Sequence, residues 1–302
     1  MTRLAVFAYS DTGHACLEHL LAKGEHVVFL ATHRDHPDEA RWFPSVAELA
    51  RGHGIEPLVM ENPLDSQSIV RLRVARPDLV LSFYYRRILP DEMLEEPPLG
   101  AFNMHGSLLP KFRGRAPVNW AIVKGETKTG ATLHRMRARA DTGEIVDQEE
   151  VPIGPDDTAI EVQRRVTAAA VQVLARRLEE LKAGTAPATP QDEAKATRFG
   201  RRRPEDGRID WSRPAREVHD LVRAVTHPFP GAFTDLFGGK TFVWRTRLPG
   251  LAAHDTFPGQ VRAEENRLFV ACGDDRYVEL LRVQPDGKDE MDGAAFGAER
   301  GR

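Results

Sequence analysis

The chain has 302 residues, 41% of them hydrophobic and 29% charged, with a formal charge of −3. That length exceeds one typical core and predicts a large domain followed by a smaller one, and the composition excludes a disordered or fibrous chain. The slight negative charge supplies no global pull on nucleic acid or anionic membrane, and two cysteines, Cys16 and Cys272, are too few for a disulfide framework and lack metal-ligand spacing, which fits a reducing cytoplasm.

After Met1-Thr2-Arg3 comes only a short apolar run, Leu4 to Ala8, too short for a signal-peptide core; no stretch approaches the ~20 apolar residues that span a bilayer. Neither export nor membrane insertion is expected. Short apolar runs then alternate with helix-like segments: a strand from Leu4 to Tyr9, a helix from Thr12 to Lys23, a strand from His26 to Thr32, a helix from Ser45 to His53 and a strand from Glu56 to Met60. A helix from Ser66 to Ala75 and strands from Leu79 to Phe83 and Ala101 to Met104 continue the pattern. This alternation predicts an α/β, Rossmann-like domain with a mostly parallel sheet, whose ligands bind at the carboxyl ends of strands. His33, Asp35, His36 and Asp38 have loose metal-ligand spacing, but a polar loop explains them better. No Gly-x-Gly-x-x-Gly occurs, so a dinucleotide fingerprint is absent.

The densest chemistry lies at Asn103-Met104-His105-Gly106-Ser107-Leu108-Leu109-Pro110, followed by Asp141-Thr142-Gly143. Residues i and i+2 of a strand share a face, so Asn103 and His105 can converge on one atom. An amide N–H can stabilise an oxyanion, an imidazole with an ordinary pKa near ~6.5 can move a proton, and a carboxylate can orient the ring and stabilise its charged form. Spacing alone also allows a turn cap at Asn103, a satisfied polar residue at His105 and a turn start at Asp141.

Beyond Asp141, an extended segment from Glu144 to Ile153 leads to a long helix. Thr158-Ala159-Ile160-Glu161 has capping-box spacing, and Val162, Val166, Val173, Leu174, Leu178 and Leu181 recur at helical intervals before Gly184. Ala186 to Pro190 reads as a surface connection. The arginine run in Phe199 to Trp211 suits phosphate, but a solvated linker is the simpler reading. A helix from Ser212 to Ala224 precedes strand candidates at Lys240 to Arg245, Gly259 to Arg262, Arg267 to Cys272 and Tyr277 to Val283, the pattern of a small β-barrel. Gly239-Lys240-Thr241 imitates the end of a phosphate loop, but Thr234 stands where its first glycine belongs. Gly287 to Arg302 reads as a frayed end. The expected division is 1–198, a linker 199–211, and 212–302.

Asn103 to Pro110, continued by Lys111-Phe112-Arg113-Gly114-Arg115-Ala116-Pro117 and completed by Asp141-x-Gly143, resembles the signature of the folate-dependent formyltransferases. Ser82 to Pro90, Gly114 to Trp120, Phe199 to Arg202 and Trp211 look most like one subgroup, the formyltransferase domain of the bifunctional bacterial enzyme that modifies UDP-4-amino-4-deoxy-L-arabinose for lipid A. The resemblance implies an OB-like C-terminal barrel, 10-formyltetrahydrofolate as formyl donor, no metal, and Asn103, His105 and Asp141 as the catalytic group. It places the folate beside Arg87, Ile88, Leu89 and Arg115 and along Arg137, Ala138, Arg139 and Ala140, and it lets Tyr9, Ser10, Asp11 and Thr12 face a sugar nucleotide. At this length the chain is expected to lack that enzyme's NAD-dependent decarboxylating domain.

The resulting expectation is N-formylation of an amino sugar nucleotide by a cytoplasmic enzyme with neither membrane nor nucleic-acid partners, its oligomeric state left open. The alternatives are a methionyl-tRNA formyltransferase, which should present a basic surface, a formyltransferase for another UDP- or dTDP-amino sugar or for hydroxyornithine, and a noncatalytic folate-binding protein.

Overall fold

Leu4, Ala5, Val6, Phe7 and Ala8 are fully buried, and β1 (Arg3–Ala8), which carries them, is an interior strand with a paired neighbour on each side. A strand covered on both faces needs an unbroken apolar run rather than alternation. The computed structural model describes residues 1–35, 42–60 and 66–300. After β1 come α1 (Ser10–Ala22), β2 (His26–Thr32), α2 (Val46–Gly52), β3 (Leu58–Val59), α3 (Ser66–Ala75), β4 (Leu79–Phe83), α4 (Asp91–Glu95) and β5 (Ala101–His105). Next are β6 (Arg113–Gly114), α5 (Pro117–Val123), β7 (Lys128–Arg135), β8 (Ile145–Pro152), α6 (Ala159–Ala183) and β9 (Arg198–Phe199).

The large sheet has the order β3-β2-β1-β4-β5-β7-β8. Its β1 to β5 part pairs in parallel, whereas β7 runs antiparallel to both β5 and β8. The predicted helical stripe of α6 is buried at Val162, Val166, Val173, Leu174, Leu178 and Leu181, each side chain contributing roughly 1.5–3 kcal/mol by leaving water. Thr158 and Glu161 form the predicted cap, with the Thr158 N–H donating to the Glu161 carboxylate at 2.8 Å. Strand β7 has no counterpart in the sequence reading. Its buried positions include Thr129 on one face and Thr132 and His134 on the other, which mask the apolar signal of a strand covered on both sides.

The chain divides into two units. The first comprises Met1–Pro117, Lys128–Pro152 and Gln163–Gly200; the second comprises Val118–Thr127, Ile153–Val162 and Arg201–Arg302. In the second unit, α7 (Ala215–Val225) precedes β10 (Ala232–Leu236), β11 (Gly239–Arg247), β12 (Val261–Glu264), β13 (Arg267–Ala271), β14 (Tyr277–Pro285), β15 (Met291–Asp292) and α8 (Gly293–Arg300). This smaller antiparallel β-domain has the strand order β10-β11-β14-β13-β12, with β15 against β14. The register Leu236↔Gly239 and Asp235↔Lys240 puts the Gly-Lys-Thr sequence at the start of a hairpin strand. The end of the chain departs from the expected frayed segment. Asp292 caps α8 by accepting from the Ala294 N–H at 2.8 Å, and Phe296 is 2% exposed, so packing overrides a glycine-rich helix with poor intrinsic propensity.

Both thiols, Cys16 and Cys272, are buried and unpaired. Among the described residues no helix is long and apolar enough to cross a membrane.

Candidate active site

Strand β5 places Asn103 and His105 on one face, and its antiparallel partner β7 sets His134 opposite Asn103 and Thr132 opposite His105. Asp141 arrives from the turn that follows β7. One of its oxygens, Oδ1, stands 3.7 Å from His105 Nδ1 and 3.7 Å from His134 Nε2; the other, Oδ2, accepts the Gly114 N–H at 2.8 Å. Four residues able to hydrogen-bond and move protons, Asn103, His105, His134 and Asp141, thus meet in the first unit. Three were predicted, and His134 is the addition.

Carbonyl partners fix the tautomers, because a carbonyl oxygen can only accept. His134 Nδ1 lies 2.9 Å from the Arg135 oxygen and therefore carries its hydrogen, leaving the Nε2 lone pair to accept from Asn103 Nδ2 at 3.2 Å. Burial pushes the His134 pKa down to about 4, against the opposing pull of Asp141, so the ring is neutral at pH 7. The Asn103 amide is thereby oriented, with its second N–H and its oxygen left for other partners. His105 Nε2 donates to the Phe112 oxygen at 2.8 Å. That carbonyl, rather than Asp141, makes the short bond that orients the ring and leaves the Nδ1 lone pair on the Asp141 side. Burial raises the pKa of Asp141, but the neighbouring His105 and His134 and the Gly114 N–H outweigh it and hold the carboxyl below its usual range.

The Asp-x-Gly spacing has a steric cause. Asp141 is in the left-handed region at φ 62°, a conformation that costs roughly 1–3 kcal/mol and that Asp tolerates better than most residues. A side chain at Gly143 would bring its Cβ to 1.9 Å from the Arg135 oxygen.

The residues expected beside the folate divide by exposure. Arg87 and Ile88 are exposed, Ile88 at 68%, whereas Leu89 packs into the core through its side chain. Arg115 Nη2 donates to the Arg86 oxygen at 2.7 Å, linking the loop after β4 to the loop after β6. Arg137 pairs with Glu144 at 2.7 Å; Ala138 and Arg139 are exposed, and the Ala140 oxygen is already taken by Arg198 at 2.8 Å. In the β1–α1 turn, Tyr9 is buried against His33 and Phe43 with the Arg86 guanidinium 4.5 Å from its ring, and Thr12 is buried against Thr167 and Gln163. Ser10 and Asp11 keep partial exposure.

Other motifs resolve into structure. His33 accepts the Arg86 N–H at 3.0 Å and stacks on Tyr85, and Asp35 accepts from the Ser45 hydroxyl; His36 and Asp38 lie outside the described residues. Among the described residues no group of three His, Cys, Asp or Glu is arranged to hold a metal ion. In the second unit, Asn119 Nδ2 donates to the Ala224 oxygen at 2.7 Å, and Arg202 lies 4.6 Å from the Trp120 ring centre.

His134 could have been found only with the strand register in hand. Its signal is the polar alternation Thr132-Leu133-His134 within β7, readable once β5 and β7 are known to pair.

Solved structures share this fold. WlaRD, a sugar 3N-formyl transferase solved with dTDP and 5-N-formyl-THF, matches at TM-score 0.71 and 18% identity, over 96% of this chain and 99% of its own. The N-formyltransferase from Helicobacter canadensis, solved with folinic acid and dTDP-3-aminofucose, matches at TM-score 0.71 and 20% identity, over 94% of this chain and 100% of its own. HypX from Aquifex aeolicus, in complex with tetrahydrofolic acid, matches 99% of this chain at TM-score 0.64 and 20% identity, and the chain spans 47% of HypX. Residues 3–178 match the family model described as formyl transferase, and residues 201–301 match that of the formyl transferase C-terminal domain. The chain belongs to the formyl transferase family.

Proposed function

We propose that this enzyme transfers a formyl group from 10-formyltetrahydrofolate to the amine of a sugar nucleotide, with UDP-4-amino-4-deoxy-L-arabinose as the acceptor. The observation that carries this reading is the meeting of Asn103, His105, His134 and Asp141 in one site of a formyl transferase chain. The loop after β4 suits a folate: an exposed apolar Ile88 beside exposed Arg87 offers a surface for a ring and a cation for carboxylates. Arg115 and the residues leading into Asp141, Arg137, Ala138, Arg139 and Ala140, complete the folate contacts of this reading.

When bound, 10-formyltetrahydrofolate supplies an activated formyl carbon whose oxygen gains negative charge as an amine attacks. The free Asn103 N–H stabilises that charge, its direction set by the Asn103–His134 bond. His105 Nδ1 would take the proton released by the acceptor amine and return it to the folate nitrogen as that nitrogen's bond to the formyl carbon breaks, while the ionised Asp141 stabilises the imidazolium. Ser10 and Asp11, with the backbone of Tyr9 and Thr12, face the sugar nucleotide. The relatives solved with dTDP or a dTDP-sugar support the substrate class. The similarity of Ser82 to Pro90 and Gly114 to Trp120 to the aminoarabinose subgroup supports the sugar. Two buried, unpaired thiols support a cytoplasmic setting.

Acidic and basic residues balance across 201–302, which gives RNA little counterion-release driving force. Purified protein should therefore formylate UDP-4-amino-4-deoxy-L-arabinose with a far higher specificity constant than methionyl-tRNA at physiological salt. A preference for the tRNA would overturn the substrate class; a preference for another UDP- or dTDP-amino sugar would overturn only the sugar.

A further inference from the structure

The segment 189–200 ties together the two loops that build the catalytic group. On one side β9 pairs in parallel with β6, and the Thr197 hydroxyl accepts the Phe112 N–H at 2.9 Å. The Phe199 oxygen accepts the Arg115 N–H at 3.0 Å. Gly114, at φ +101°, is required there, because a Cβ would stand 2.1 Å from the Phe199 oxygen. This is the loop whose Phe112 oxygen orients His105 and whose Gly114 N–H holds Asp141. On the other side Arg198 donates to the Ala140 oxygen at 2.8 Å.

Gln191 lies between the two loops. Its Oε1 accepts from Arg113 Nε at 3.1 Å and Nη2 at 2.8 Å, and its Nε2 donates to the Asp141 oxygen at 3.0 Å and the Gly143 oxygen at 2.7 Å. A guanidinium can only donate and carbonyls can only accept, so the amide has one orientation and every one of its hydrogen-bonding positions is used. Arg113 is itself buried and is closed on its other edge by Glu193 at 2.6 Å. The left-handed residue Asp141 is therefore held by its own carbonyl, through Gln191 and Arg113, to the loop that also holds its carboxylate.

We propose that Gln191 is a positioning residue for formyl transfer: it fixes the backbone from which Asp141 projects and ties that backbone to the loop that orients His105. This rests on Asn103, His105 and Asp141 being the catalytic group. Gln191→Leu removes both halves of the amide, and Gln191→Glu keeps the acceptor for Arg113 while setting a carboxylate against two carbonyl oxygens. With 10-formyltetrahydrofolate and UDP-4-amino-4-deoxy-L-arabinose, each folded variant should lose at least ~10-fold in kcat with both KM values within about threefold, since small displacements of reacting groups cost that much. In an Asp141→Asn background the further loss should be under about twofold, because the group being positioned has already lost its charge. Gln191→Glu carries the test if Gln191→Leu fails to fold. Ring NMR signals of His105 and His134, read without substrate, should also move in whichever variant folds.

Equal losses in the wild-type and Asp141→Asn backgrounds would mean a general structural role and overturn the proposal, as would wild-type kcat or unmoved histidine signals. Full activity of Asp141→Asn alone would instead overturn the assignment of the catalytic group on which it rests.

Discussion

In the second unit Asp220 and Arg223 are 1% and 4% exposed and meet at 2.7 Å, whereas in the first unit the Asp141 carboxylate stands 3.7 Å from each of two imidazoles. The Asp220 pair is closed. Its second carboxylate oxygen accepts from Arg216 at 3.1 Å, and Arg223 Nη1 donates onward to the Asp157 oxygen at 2.7 Å. With Arg223 Nη1 also donating to the Gly154 oxygen at 3.2 Å, the pair anchors the 154–157 segment to α7. Asp141 spends one oxygen on the Gly114 N–H and keeps the other within charge reach of two rings but beyond hydrogen-bond distance. The buried ion pair that serves the fold is closed on both partners; the carboxylate proposed for acid–base chemistry is anchored on one side and stands beyond hydrogen-bond distance on the other.

The largest effect should come from opening the closed pair. Asp220→Ala leaves Arg223 buried without its counter-charge, which costs about 3–5 kcal/mol, while kcat of the folded fraction should stay within about twofold. Urea unfolding beside a turnover assay measures both. Stability unchanged within about 1 kcal/mol would erase the contrast between the clusters.

The converse comes next. His105→Ala and Asn103→Ala should each lower kcat by at least ~100-fold, about 2.7 kcal/mol of barrier, with the melting temperature little changed. Near-normal turnover in both would remove the chemistry from the loose cluster.

The smallest effect is a pH dependence that sharpens the picture of His134. Its folded pKa of about 4 lies below the ~6.5 of an unfolded histidine, so between those values the unfolded chain binds the extra proton. The stability this group contributes is complete above about pH 6.5 and drains away as pH falls toward 4, with a slope of at most ~1.4 kcal/mol per pH unit. His134→Gln should lack that slope. His219, whose pKa burial also lowers, is common to both proteins and drops out of the difference, and Asp141, held low, adds its loss only below about pH 3.9. A wild-type-minus-variant stability curve that is flat from pH 6.5 to 4 would show that His134 is not buried as the neutral ring.

What the sequence revealed depended on how each element is buried. Strands β1 and β4 and the stripe of α6 carry their burial in apolar side chains, so their positions could be read directly. Strand β7 carries part of its burial in Thr129, Thr132 and His134, and polar residues satisfied only by distant partners look like surface in a linear text. The same blindness hid His134, whose partners lie on β5 and in the turn after β7, and Gln191, which follows a proline-rich stretch that reads as a connector. Asn103, His105 and Asp141 were legible because a long run of signature residues surrounds them. Helix α8 was missed for a third reason: Gly293 and Gly297 offset the helix propensity of its alanines, and the burial of Phe296 supplies the packing that holds the helix.

The two native cysteines make this chain convenient to label. Burial pushes the Cys16 thiol up, and it pushes the Cys272 thiol up to about 12, so neither offers a thiolate to an alkylating dye near neutral pH. Lys195, exposed on the segment that carries Gln191, can be replaced by cysteine and coupled to a fluorophore without first stripping the natural thiols. A single-site optical reporter can then follow that segment in the otherwise unmodified enzyme as substrates come and go.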